Sequence, residues 1–488
     1  MIRLIIFILF LDSIVSLEIG CIPNSTIDSK SAGYPAPFYF PVNWNESLPI
    51  PIYKTNQNCK WTVKIPDQKY AFFTMIANIS DDSVLTISDC NGKSETVMTS
   101  DLQPYIFVGV QFTISLRVGA TTCAFAFKIE WNDVPTPNPS FYSVNKTSPA
   151  LFIDEMLTNN SVTFTAETMV SLVAFPSEIP DLTSFLRLTL VFDGPNTTSP
   201  YLGNLFQAVH SSRPMVSSSS QMTVYSFQSG YLAEFVIQDY YNVQHLAGTK
   251  GITCWNQSSC LVTLDARGGP VSAMSSNENN EVDYLEKLNI SPGSVLKVYI
   301  GARREDDDSN LIATYNLEQS IANIPQKLNG YLLTYYLENG TALLELTEDS
   351  NSTKWADAAV GREGFITSRQ FGYLKTEQDI LESIEGSEPT QSFNFLVNIT
   401  YLDVSNGENL TISFGRETGN EDFVFSKYEK PQNIVFTANG WKMDVAYVTN
   451  GTLSRGFHLD FQIDALRTSS ANEYRIFVVI LTLFASLG

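Results

Sequence analysis

Cysteines, histidines and acids are the residues of this chain whose types and spacing could do chemistry. The six cysteines are Cys21, Cys59, Cys90, Cys123, Cys254 and Cys260. An even number in an exported chain reads as disulfides, with fifteen possible connectivities that sequence alone does not separate. Four lie before residue 124 and two lie together, so sequential pairing is the simplest choice: Cys21–Cys59, Cys90–Cys123 and Cys254–Cys260. Cys254-x5-Cys260 has no close thiolate or histidine partners, so no zinc site is expected. The three histidines, His210, His245 and His458, leave few bases for triad chemistry. His458 alternates with Phe457 and Leu459 and reads as a solvent-facing strand residue. Asp81, Asp82 and Asp89 could cluster, but a solvated turn is the simpler reading. Glu305-Asp306-Asp307-Asp308 reads as an exposed, self-repelling loop.

The two ends read as addresses. Basic Arg3, an apolar run from Leu4 to Leu11 and small Ser16 form a secretory signal peptide over 1–16. Thr468–Asn472 is a run of small residues, and Ile476–Gly488 is apolar and too short to span a bilayer comfortably. That order is the glycosylphosphatidylinositol (GPI) pattern, expected over 467–488 with Ser469 or Ser470 as the attachment site. The chain also carries Asn-x-Ser/Thr at Asn24, Asn45, Asn78, Asn145, Asn159, Asn196, Asn256, Asn289, Asn339, Asn351, Asn398, Asn409 and Asn450. Pro139 disqualifies Asn138. Thirteen acceptors behind a signal peptide predict a glycan-coated ectodomain on the extracellular face of the membrane, or a secreted one.

The elements that must position these residues are strands. The 488 residues suggest about three domains on length alone. Phe (31) and Tyr (22) are abundant, and period-two runs such as Phe112–Val118 dominate. An all-β chain is expected, with single helices at most in segments such as Val282–Leu288 or Glu377–Ile384. Val134–Pro139 alternates prolines and reads as a linker, 134–139. Acids outnumber bases 51 to 30, a formal charge of -21, which disfavours nucleic-acid partners.

Tyr53, Asn56, Cys59, Trp61 and Val63 resemble the signature of CUB domains, and Asp89-Cys90-Asn91-Gly92 resembles that family's acidic turn. Cys90 inside the turn is closer to the nematode CUB-like family, whose members are secreted and often GPI-tailed. The resemblance covers about 20–133. Weaker echoes follow: Leu188–Gly194 with Gly230–Phe235, and Gly364–Ser368 with Gly456–Phe461. The organisation expected is four tandem CUB-like antiparallel β-sandwich, jelly-roll-like modules at 20–133, 140–249, 250–352 (the most divergent) and 353–466; the alternative is one such module followed by an unrelated β region. Many CUB domains hold calcium through acids on one edge. Here the aligned positions are Ser83, Arg187 and Glu408, so only the fourth keeps an acid, and no metal or other cofactor is expected.

Among enzyme signatures, His-Glu-x-x-His, Gly-x-Ser-x-Gly and the phosphate-cradling loop do not occur. The expectation is a non-enzymatic recognition protein with a protein or glycan ligand, attached to the membrane through a GPI lipid. The resemblance implies a link to innate defence and membrane rafts. A hydrolase with an unrecognised site and a structural coat protein are the alternatives.

Overall fold

The computed structural model describes residues 18–30, 32–100, 103–153, 160–227, 233–254, 259–277, 282–317, 322–404, 407–426 and 433–466. The signal peptide, Asn159, Asn256, Ser469 and Ser470 lie outside these. The chain forms two bodies. The first holds the described residues up to 317, with Lys327–Ser352 and Arg369–Tyr373. The second holds the described residues of Ile321–Gln326, Thr353–Ser368 and those from Leu374 onward.

The fold is all-β, built of paired, mostly antiparallel sheets. Alternation in sequence becomes alternation in burial. In Asn58–Lys64, Cys59, Trp61 and Val63 point inward while Asn58, Lys60 and Lys64 face out. The first module packs the sheet containing Asn58–Lys64, Gln111–Arg117 and Val84–Ser88 against one containing Cys123–Asp133 and Lys69–Asn78. Trp61, Phe73, Phe112, Phe125 and Phe127 fill the space between.

One strand order then recurs along the chain. A sheet in each of the first three modules runs edge to edge as first, second, fifth, third, fourth in chain order. In each, the edge strand pairs parallel to its neighbour: Ser25–Ile27 on Asn58–Lys64, Asn138–Ser143 on Asn160–Thr165, and Gly248–Ile252 on Val271–Ser276. The second body repeats an order of first, fourth, second, third in both main sheets, which is the same pattern without that parallel edge. Four sandwiches therefore share one wiring.

Several expectations require correction. Asn138 and Pro139 lie inside a strand rather than a linker. The strand is an edge, where proline's missing N–H costs no ladder bond. Gly248 and Thr249 belong to the third sandwich. Val282–Ile290 and Ile380–Glu385 are strands, not helices. Each has neighbours whose pairing overrides local helical spacing. Among the described residues the only α-helix is Leu205–Val209, closed at its start by a capping box between Asn204 and Gln207.

Disulfides join Cys21 to Cys59 and Cys254 to Cys260, with Cα separations of 5.6 and 5.4 Å. Cys90 and Cys123 are free thiols, against the expected third bond. The reason is their position along one strand. Cys123 lies beside Ser83, just before Val84–Ser88, and Cys90 follows that strand's far end. Five extended residues separate the ends by about 17 Å, far beyond disulfide reach. Burial raises both thiols above the ordinary cysteine range. Thiol titration should therefore find two free cysteines per unfolded chain. In the native protein half-buried Cys90 should label first and core Cys123 only on unfolding. Labelled Cys21 or Cys59 in non-reducing peptide maps would contradict this pairing.

The third sandwich buries a carboxyl. Asp283 is fully enclosed and accepts a 2.6 Å hydrogen bond from the Tyr335 hydroxyl. Burial outweighs that bond and raises its pKa above the usual 3.8. A carboxyl that holds its proton more tightly folded than unfolded contributes stability at acid pH. That contribution is lost as pH rises from the unfolded pKa through the folded one. Asp283→Asn should flatten this decline. Parallel pH–Tm curves for variant and wild type would rule the explanation out.

Candidate interaction surface

The joint between the first and second modules gathers charged and aromatic side chains from five segments. The turn after Val84–Ser88 supplies Asp89, Asn91 and Lys93, and the strand Ser94–Val97 supplies Glu95. Opposite them stand Arg187, Tyr201 and the helix Leu205–Val209. Asp89 Oδ1 accepts from the amides of Asn91 and Lys93, both at 2.9 Å, which shapes the turn. Its Oδ2 accepts from Gln207 Nε2 at 2.9 Å. Asn91 Nδ2 and Lys93 Nζ donate to the carbonyls of Tyr201 and Leu202, each at 2.7 Å.

Arg187 is the centre of this joint. Its Nε and Nη2 donate to the two oxygens of Glu95 at 3.1 and 2.5 Å. The Tyr105 hydroxyl donates to the same carboxylate at 2.9 Å. The guanidinium lies 4.4 Å from the Tyr105 ring centre and 4.5 Å from that of Phe206, within cation–π range. An apolar contact continues the joint, with Ile106 and Val108 against Leu188, Leu190 and Phe192.

Beside the ion pair opens a cleft of about 650 Å³. Asp89, Glu95, Asn204 and Gln207 offer it hydrogen-bonding groups, and Tyr105, Phe206 and His210 offer rings. His210 lies against Phe206 with centroids 4.3 Å apart and the rings tilted by 39°, and its Nδ1 lies 2.8 Å from the Phe206 carbonyl. The arrangement suits a polar ligand with a flat apolar face. His210 is engaged with its own helix rather than with a nucleophile.

The remaining candidates are scattered. Asp81 and Asp82 precede Val84–Ser88 while Asp89 follows it, so the three do not cluster. Asp82 instead accepts from Ser80 and the Thr121 amide, which lowers its pKa. Glu305–Asp308 is not a free acidic loop, because every acid is engaged. Glu305 meets Arg303 at 2.5 Å and His245 at 3.0 Å, and Asp306 accepts from Tyr241. Asp307 pairs with Arg304 and Asp308 accepts from Tyr299. Burial lowers the pKa of His245 there. His458 is not solvent-facing: it stacks on Phe365 at 5.4 Å and its Nδ1 lies 2.7 Å from Thr400 Oγ1.

The CUB calcium positions do not suit the ion. Ser83 Oγ accepts from the Gly119 amide, and Arg187 places a cation where an acid is needed. Glu408 accepts from Thr452 at 2.9 Å and Tyr447 at 3.3 Å inside the fourth sandwich. Among the described residues no group of three or more acids, histidines or cysteines could hold a metal. No helix among them is long and apolar enough to cross a membrane.

The described sequons split by exposure. Asn24, Asn45, Asn78, Asn145, Asn196, Asn289, Asn339, Asn351 and Asn450 are exposed, while Asn398 and Asn409 are half-buried in strands.

Comparison with known families agrees with the fold. Residues 18–135 match the family model of the CUB-like domain. Residues 143–227 and 241–349 match two further models, each described as a domain of unknown function (DUF7592 and DUF7591). No curated protein matches the chain. Among solved structures, the CUB1-EGF-CUB2 domains of rat MASP-1 align at 11% identity over 44% of this chain and 99% of that one, with a TM-score of 0.17. The same region of human MASP-1/3 aligns at 11% identity over 42% and 98%, TM-score 0.17. The full extracellular region of zebrafish Gpr126/Adgrg6 aligns at 9% identity over 92% of this chain and 57% of that one, TM-score 0.19. None of these superposes closely; the family model and the sheets carry the assignment. The N-terminal sandwich is CUB-like, and the second and third match models of their own.

Proposed function

We propose that this chain is a glycosylated, non-enzymatic recognition protein that works outside the cell. The observation that carries the reading is the CUB-like match over residues 18–135. CUB-like domains are typically interaction modules without catalytic groups. The signal peptide, the thirteen sequons and the GPI pattern support display on the outer membrane face, possession of a lipid anchor, and contact with a protein or glycan ligand. The Cys90-bearing turn supports the nematode branch of the family, and through it a role in innate defence within membrane rafts.

The polar and aromatic cleft at the first joint is the recognition site this reading favours, because ring faces and planar polar groups together fix a ligand's orientation. The test uses mature protein released from cells, probed against arrays of microbial and host glycans and proteins. Saturable binding that falls about tenfold in His210→Ala is the expected result. An array without binders, or turnover of an arrayed compound, would remove the reading. Phosphatidylinositol-specific phospholipase C should free the protein from intact cells. Retention together with recovery of an intact Gly488 terminus would dismiss the anchor.

A further inference from the structure

A second and larger cleft, of about 860 Å³, opens at the joint of the first two modules. Its lining mixes apolar and polar groups and is rich in proline. Val110 and Phe141 line it and are each 69% exposed, and Tyr201 and Phe227 add two more rings. Apolar groups this open on two facing modules cost free energy unless something covers them.

Asn196 lines the same cleft, within the acceptor Asn196-Thr197-Thr198. Its geometry leaves one end of the amide available. Oδ1 accepts from the Thr198 amide at 3.0 Å, the Thr198 hydroxyl at 2.7 Å and Ser199 Oγ at 3.3 Å. The Asx turn therefore consumes the oxygen and leaves Nδ2 for attachment. Asn145 makes the same turn, with Thr147 donating from its amide and hydroxyl at 2.9 Å each, but does not line the cleft. It is an internal control.

We infer that an N-linked glycan on Asn196 seats its first sugars in this cleft and acts as a fixed part of the joint between the first and second modules. The inference rests on the reading that the chain is exported. Attachment uses a lipid-pyrophosphate-linked oligosaccharide as co-reactant. The Asn196 Nδ2–C1 bond forms, the C1–O bond to pyrophosphate breaks, the pyrophosphate leaves with the electron pair, and one amide proton is taken up by base. N-acetylglucosamine carries an apolar C–H face and an acetyl methyl, which match Phe141, Val110 and the proline rings. Its hydroxyls can meet water and the polar rim at Gln68 and Lys69. Tethering gives the sugar a high effective concentration, so weak stacking is enough to hold it.

The test expresses the full chain in secreting eukaryotic cells and maps glycopeptides by mass spectrometry. Native digestion with peptide N-glycosidase should release the Asn196 glycan at least tenfold more slowly than the Asn145 glycan, and the difference should vanish on denaturation. Phe141→Ser should keep Asn196 occupied but speed its native release. Asn196→Gln should raise binding of an apolar dye, while Asn145→Gln should not. If Asn145 is occupied and Asn196 is bare, or if both glycans are released equally fast, the inference fails while export stands. A separate partner filling the cleft would give that second outcome. If no sequon is occupied, the export reading fails and takes the inference with it.

Discussion

Trp61→Ala should destabilise the first module by about 3–5 kcal/mol, the range for truncating a large buried aromatic. Trp61 is 1% exposed at the centre of the sandwich. Its ring lies 5.0 Å from Phe40, 5.7 Å from Phe127, 5.9 Å from Phe125 and 6.4 Å from Tyr53, centroid to centroid. These four rings come from three strands of the facing sheet, so the cavity cannot close by moving one side chain. Cys59, two residues earlier on the same inward face, is held by the disulfide to Cys21. That bond also restricts collapse of the backbone around the hole. Trp61→Phe should recover part of the loss by refilling most of the volume. Denaturant unfolding followed for the whole chain should show the first module's transition move to lower concentration. A shift below about 1 kcal/mol would mean that the ring is not packed as described.

Trp61 also marks how far sequence reasoning reaches. The alternation of Cys59, Trp61 and Val63 reports a half-buried strand directly, and the all-β fold follows from many such runs. The common wiring of four sandwiches is less visible. Strand order depends on which distant segments pair, and the paired residues of different modules share shape rather than identity. Hence the family models differ along the chain while the topology repeats. Cys90 and Cys123 show the limit in another form. Even counting supports a bond, but only the strand between them reveals that they sit at opposite ends of the sandwich. The helical reading of Val282–Leu288 failed because its two flanking partners, not its own spacing, decide its state. Acidic Glu305–Asp308 looked self-repelling because its cations and hydroxyls arrive from Tyr241, Tyr299 and adjacent arginines once the loop is folded. The cleft at the first joint is illegible in the sequence for the same reason: Glu95 and Arg187 stand 92 residues apart.

Arg187→Met should cost about 3 kcal/mol, the low end of the range for breaking a buried ion pair by removing one partner. The side chains of Arg187 and Glu95 are only 5% and 24% exposed, so neither is well hydrated once its partner is lost. The substitution leaves Glu95 with the Tyr105 hydroxyl as its remaining described partner at 2.9 Å. It also removes the cation from between Tyr105 and Phe206. The double variant Glu95→Gln with Arg187→Met removes both charges and should lie closer to wild type than Arg187→Met alone. Such non-additivity, of roughly 1–3 kcal/mol, is the signature of direct coupling rather than of two separate packing losses. The effect should show first as loosening of the joint, because the pair bridges modules whose own cores are otherwise intact. Limited proteolysis near residues 134–139 should therefore quicken in Arg187→Met before either module unfolds. Strictly additive single and double losses would show that the two groups do not interact. In that case the apolar contact of Ile106 and Val108 with Leu188 and Leu190 would be what holds the joint together.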